Sequence, residues 1–231
     1  MQYRNITLMK GIHMKKLIEK DMPLPPHTKL DYYECYAKIV LEEMFPKQFS
    51  DLIISDKPDL QNAKLSIGIE VTSSENSSQK EVEGLYTKWS YQNNDKKERI
   101  REQIEKRGAK LMNGVLSGIP EHDSFDRIYD TLNRKLEKLK DYELFEKQYL
   151  FTFSSIYTTP TMREEALFEM RRICEPASSK FYGIYVLVPG SIYVFDLANN
   201  TTCEKKITFD IQHFQAQRAR EMVEQEEKSI G

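Results

Sequence analysis

Apolar residues at 30, 33, 37, 40, 41 and 44 recur at helical spacing, so residues 30–45 are predicted to form an amphipathic helix that Pro46 ends. Thr28 is placed as its N-cap, with Asp31 in the partner position of a capping box. Two short apolar runs follow, DLIIS (51–55) and KLSIGIEVT (64–72), which predict strands joined by a turn over 56–62. After a polar loop at 73–78, Val82, Leu85, Tyr86 and Trp89 fall on one face of a helix over 79–91. A charged helix over 93–107 and a short strand within KLMNGVL (110–116) come next. The pattern then gives a helix at 125–140, a strand at 149–156 (YLFTFSSI) and a helix at 163–174, introduced by Pro160 with Thr161 as cap. FYGIYVLVPGSIYVFDL (181–197) is two apolar runs joined by Pro189–Gly190 and reads as a buried β-hairpin. ITFDI (207–211) is a further strand and residues 213–228 a charged helix. No linker composition or repeat divides the chain, so residues 1–231 are read as one α/β domain with a mixed central sheet flanked by helices.

Composition narrows the function less than the pattern does. The 34 basic and 36 acidic residues nearly cancel, giving a formal charge of −2, so a polyanionic partner needs a local basic patch rather than a global field. Two such patches exist: Lys96 to Lys110, interleaved with glutamates, and Arg134, Lys135, Lys138 and Lys140. Each reads first as a solvated helix face and second as a phosphate-tracking one. The three cysteines (Cys35, Cys174, Cys203) lack metal-site spacing and read as reduced thiols. No apolar run is long enough to span a membrane, and no secretory leader is evident, so a cytoplasmic protein is expected. The four histidines (His13, His27, His122, His213) are scattered in surface-type surroundings, and no nucleophile–base pair supports a small-molecule hydrolase.

One charge stands out. Glu70 lies inside SIGIEVT, where Ile67, Ile69 and Val71 share one strand face and Gly68, Glu70 and Thr72 share the other. A carboxylate in an apolar strand is costly unless it is paired or bound to a cation. Asp59, after Pro58 in the preceding turn, can reach the same end of the sheet if the two strands pair. Two neighbouring carboxylates repel, and a hard divalent cation with oxygen ligands relieves that repulsion. Such a cation polarises a phosphate and lowers the pKa of bound water, which connects this spacing to phosphodiester hydrolysis.

Pro58-Asp59, followed by Glu70-Val71-Thr72 at the end of an apolar strand, resembles the PD-(D/E)XK nuclease superfamily, as does the surrounding order of helix, strand, turn, strand and helix. The resemblance implies a restriction-endonuclease-like αβββαβ core over about residues 28–155, with a C-terminal α/β extension and its hairpin over about 156–231. It further implies Mg²⁺ or Mn²⁺ held by Asp59 and Glu70, with help from a glutamate of the preceding helix. On that helix Glu34 is the choice, because at about 100° per residue it lies beside Leu41 at the edge of the apolar stripe. The implied substrate is nucleic acid, DNA in preference to RNA. The motif lysine is absent, since position 72 is threonine, and Lys80 or Lys88 of the next helix is its candidate replacement, Lys80 first. The alternative reading is a catalytically inactive nuclease fold used as a binding module in a phage-derived or defence system.

Overall fold

The computed structural model describes residue 24 and residues 27–229, apart from 76, 91, 93, 113–114, 118–123 and 143–144. Residues 1–23, with most of the proline-rich stretch and His13, and also His122, therefore lie outside the described residues. The elements run α1 (Tyr32–Met44), β1 (Ile53–Ile54), β2 (Leu60–Asn62), β3 (Ile67–Ser73), α2 (Ser77–Ser90), α3 (Asn94–Glu105), β4 (Lys110–Met112) and β5 (Val115–Ser117). They continue with α4 (Asp126–Leu139), β6 (Lys147–Phe153), α5 (Pro160–Cys174), β7 (Gly183–Val188), β8 (Ser191–Asp196), β9 (Thr201–Lys206) and α6 (Phe209–Ser229).

Seven strands form one mixed sheet in the order β1-β2-β3-β6-β7-β8-β9, while β4 and β5 make a separate two-stranded ribbon. The strands β1, β2 and β3 are an antiparallel meander; β6 then pairs parallel to β3, and β7 parallel to β6. Helices cover both faces, as the α/β reading expects. On one face Val40 and Leu41 of α1 pack on Ile67, Ile69 and Val71 of β3 and on the aromatic residues Tyr149, Phe151 and Tyr185. On the other, Ile128, Leu132, Leu136 and Leu139 of α4 pack with Ala166 and Met170 of α5 against Leu150, Ile184 and Val186. The hairpin of β7 and β8 supplies core residues to both faces, and α6 lies across α1 through Ala219 and Val223. Cys35 and Cys174 are buried packing residues, and His27 and His213 are exposed. Among the described residues no helix is long and apolar enough to cross a membrane.

Several boundaries differ from those predicted. The first helix is capped by Asp31, whose side chain accepts from the N–H groups of Tyr33 and Glu34, and not by Thr28. The predicted turn over 56–62 contains β2, too short to show an alternation, and the strand predicted from 64 begins at Ile67 after a 3₁₀ turn over Ala63–Leu65. Thr159, not Thr161, caps α5 and leaves Pro160 in the first turn, where no N–H partner is needed. ITFDI is not a strand. The last strand is the polar Thr201–Lys206, and α6 already begins at Phe209. That strand is the exposed sheet edge, so its side chains carry no apolar signal.

Candidate active site

The alternation in β3 turns Ile69 and Val71 towards α1 and turns Glu70 beneath α4, where only 3% of it is exposed. There Glu70 Oε1 accepts from the ammonium of Lys135 in α4, an ion pair whose two side chains are both largely buried, and from the hydroxyl of Tyr142 at 3.3 Å. Glu70 Oε2 is buried with no hydrogen-bond partner. A buried carboxylate oxygen without a donor costs roughly 1–3 kcal/mol or more, so the site is one oxygen short of satisfaction.

Asp59 is held against the same strand in two ways. Its Oδ2 accepts from the Val71 N–H at 2.7 Å, taking the place of a strand partner two residues beyond Ile69 of the Leu60–Ile69 register pair. The preceding Pro58, which follows a cis peptide bond, lies directly on Gly68. A β-carbon at position 68 would stand 2.7 Å from Pro58 Cγ, 2.6 Å from Gln148 Oε1 and 2.8 Å from Phe145 Cδ2. Glycine is required there by this close approach. Burial, and secondarily the charge of Glu70, push the Asp59 carboxyl up to about 6, against the lowering effect of the Val71 N–H and Lys135.

Glu34 comes from the first turn of α1 and is half-buried. Burial first, then the charges of Asp59, Asp31 and Glu70, push its carboxyl up to about 7. Glu34 and Asp59 line one cavity of about 540 Å³ together with Tyr33, Thr72, Glu75, Lys80, Glu83 and Lys135. The sequence-predicted acids thus lie near one another on β3 and its neighbours, close enough that Glu70 raises the protonation of Asp59 and both raise that of Glu34. Among the described residues, however, no group of three or more His, Cys, Asp or Glu side chains is gathered tightly enough to hold a metal ion. Asp59 and Glu70 are the residues that would hold a divalent cation there, since Glu70 keeps an orphaned buried oxygen and Mg²⁺ commonly takes one or two protein carboxylates.

Thr72, which stands where the resemblance implies a lysine, lines the cavity. Lys80 also lines it but is exposed, and Lys88 is exposed on a later turn of α2. The cation that reaches the acids is Lys135, which the sequence reading placed only in a surface basic patch. A signal for it existed. At about 100° per residue Lys135 falls on the stripe of Ile128, Leu132 and Leu139, whereas Arg134 and Lys138 fall beside it. A lysine on the buried stripe of a helix requires a carboxylate opposite it. Tyr142 carried no such signal, because it lies past the helix end. Burial and the charge of Glu70 push its hydroxyl up to about 12, keeping it a donor.

No protein-family model, curated protein or solved structure matches this chain.

Proposed function

We propose that the chain is a divalent-cation-dependent nuclease of the PD-(D/E)XK type, hydrolysing phosphodiester bonds in DNA in preference to RNA. The observation that carries this reading is the convergence of Asp59, from a turn, and Lys135, from a helix, on one open cavity, with the buried Glu70 paired to that lysine. The chain order supports it: helix α1, the antiparallel meander β1-β2-β3, a helical segment, and β6 parallel to β3 follow the αβββαβ arrangement that the resemblance implies.

In this reading Asp59 and Glu70 would hold the Mg²⁺ or Mn²⁺, which would supply charge neutralisation and lower the pKa of a water. Lys135 takes the part of the missing lysine, presenting its ammonium to the attacking water and to the phosphate oxygens. Glu34 faces the same cavity as an additional oxygen acceptor for water. The water oxygen forms a bond to phosphorus as the bond to the leaving sugar oxygen breaks. One water proton ends on that departing oxygen and the other stays on the new phosphate monoester.

The competing reading, a binding module without catalysis, is favoured by the Glu70–Lys135 pair, which already neutralises the buried acid. Cleavage of plasmid and single-stranded DNA, with RNA as a parallel substrate, is the test, in Mg²⁺ or Mn²⁺ beside Asp59→Ala and Glu70→Ala. Cleavage by the wild type that both variants lose supports the nuclease. Activity that survives in both overturns the site, and Mn²⁺ uptake absent from the wild type selects the binding module.

A further inference from the structure

The acidic cavity does not end at Lys135. A second cavity, also of about 540 Å³, shares Ser73, Glu75 and Lys80 with it and runs on along α4, lined by Ser74, Arg127, Asp130, Thr131 and Arg134. The two together form a groove between α2 and α4 that opens from the end of β3.

The charge on α4 is sorted by face. At about 100° per residue, Arg127, Thr131, Arg134 and Lys138 lie within one narrow arc, next to the stripe that carries Lys135 into the site. Asp126, Asp130 and Glu137 lie on the solvent side of the same helix, opposite the core-facing Ile128, Leu132, Leu136 and Leu139, with Asp130 about 40° from Arg134. A solvated helix held by its own ion pairs intermixes its charges. In α4 Arg127 and Arg134 line the groove together with one acid, Asp130, whereas Asp126 and Glu137 do not line it. Among the described residues neither Arg134 nor Lys80 makes an ion pair. The basic stripe from Arg127 to Lys138 spans ~16 Å at 1.5 Å rise per residue. One strand of B-form DNA places about five phosphates along that length.

We infer that this stripe is the track for the phosphodiester backbone of the substrate, with Arg127, Arg134 and Lys138 of α4 and Lys80 of α2 holding phosphates on one side of the scissile bond. The inference rests on the proposed nuclease reading and specifies the side from which the polymer enters. Because the chain as a whole is slightly acidic, with a formal charge of −2, attraction for a polyanion has to be local. Glu75 and Asp130 also line the second cavity, so its three cations (Lys80, Arg127, Arg134) outnumber its carboxylates by one. Lys138 extends the excess beyond it.

The test is the affinity of the full chain for fluorescently labelled single-stranded and duplex DNA, read by anisotropy in EDTA over a range of salt. Arg127→Gln/Arg134→Gln/Lys138→Gln is compared with Lys96→Gln/Arg99→Gln/Lys106→Gln, which removes as much charge from exposed positions of α3 and the turn that follows it. The α4 variant is expected to bind at least tenfold more weakly and to lower the slope of log K against log salt by about 2, as loss of phosphate contacts requires. The α3 variant should keep the wild-type slope. Mn²⁺ titration of the α4 variant should match the wild type, showing that the fold and the acidic site are intact. Equal slopes for wild type and α4 variant, equal losses in both variants, or no DNA binding by the wild type each overturn the track. Loss of binding in the α4 variant alone, in a protein that takes up no Mn²⁺, upholds the track and overturns the nuclease reading.

Discussion

Lys135 reaches Glu70 across 65 residues of chain, and the ion pair they make lies under a helix rather than at the surface. Removing one partner of such a pair leaves an uncompensated buried charge, which costs about 3–5 kcal/mol. Lys135→Met is therefore expected to lose stability on that scale by chemical denaturation in EDTA, and Glu70→Gln added to it should restore much of the loss. If the double variant is no more stable than Lys135→Met, the pair is not the source of the effect.

Thr72 stands where the proposed nuclease reading implies a lysine, whose part Lys135 is proposed to take. Thr72→Lys in a Lys135→Ala background should recover part of the nuclease activity lost in Lys135→Ala alone, measured as single-turnover cleavage. Full activity of Lys135→Ala itself would remove Lys135 from the chemistry.

Asp59 has two duties that separate by substitution. Asp59→Asn keeps an oxygen for the Val71 N–H but loses the charge, whereas Asp59→Ala loses both. Both should lose Mn²⁺ uptake, and only Asp59→Ala should also lose about 1–3 kcal/mol of stability, the cost of leaving that N–H unsatisfied. Equal stabilities for the two variants would contradict the hydrogen bond's structural part.

Gly68→Ala forces a β-carbon to within 3 Å of side-chain atoms of Pro58, Gln148 and Phe145, of which the Pro58 ring cannot rotate away. Overpacking of this kind costs typically 1–3 kcal/mol. Because Pro58 precedes Asp59, Gly68→Ala should also weaken Mn²⁺ binding although it removes no ligand. A calorimetric titration that gives wild-type affinity would show that the turn moves independently of the acid.

Glu34 ionises near 7 in the fold against 4.5 in its ordinary state. The folded protein therefore holds this proton more tightly than the unfolded chain, so its contribution is fully present below pH 4.5 and is lost as pH rises through 7. Asp59, raised from 3.8 to about 6, acts in the same direction over a lower window. In EDTA the melting temperature of the wild type relative to Glu34→Gln should fall between pH 5 and 8. Saturating Mn²⁺ should flatten that difference, and a difference that rises with pH would reverse the assigned shift.

The two acids were legible because each follows a local rule: alternation in β3 for Glu70, and a turn after proline for Asp59. The first helix was legible from its apolar spacing, although its cap at Asp31 was misplaced by a competing Thr28. β2 was not, since a three-residue strand has no period, and β9 was not, since an edge strand of threonines, lysines, a glutamate and one exposed cysteine has no apolar face. Lys135 was missed for a different reason. Its identity as a charge suggested solvent, while its position on the stripe of Ile128 and Leu132 indicated burial, and position was the better guide.

The pairing of Glu70 with Lys135 also bears on how the molecule folds. The meander can place Glu70 in an apolar setting only when α4 is docked to supply the opposing ammonium. A partly assembled intermediate with β3 packed and α4 loose would bury a lone carboxylate, so such a species is disfavoured. The charge that serves the site thereby couples the meander to the helical segment that follows it, and unfolding is expected to proceed in a single cooperative step.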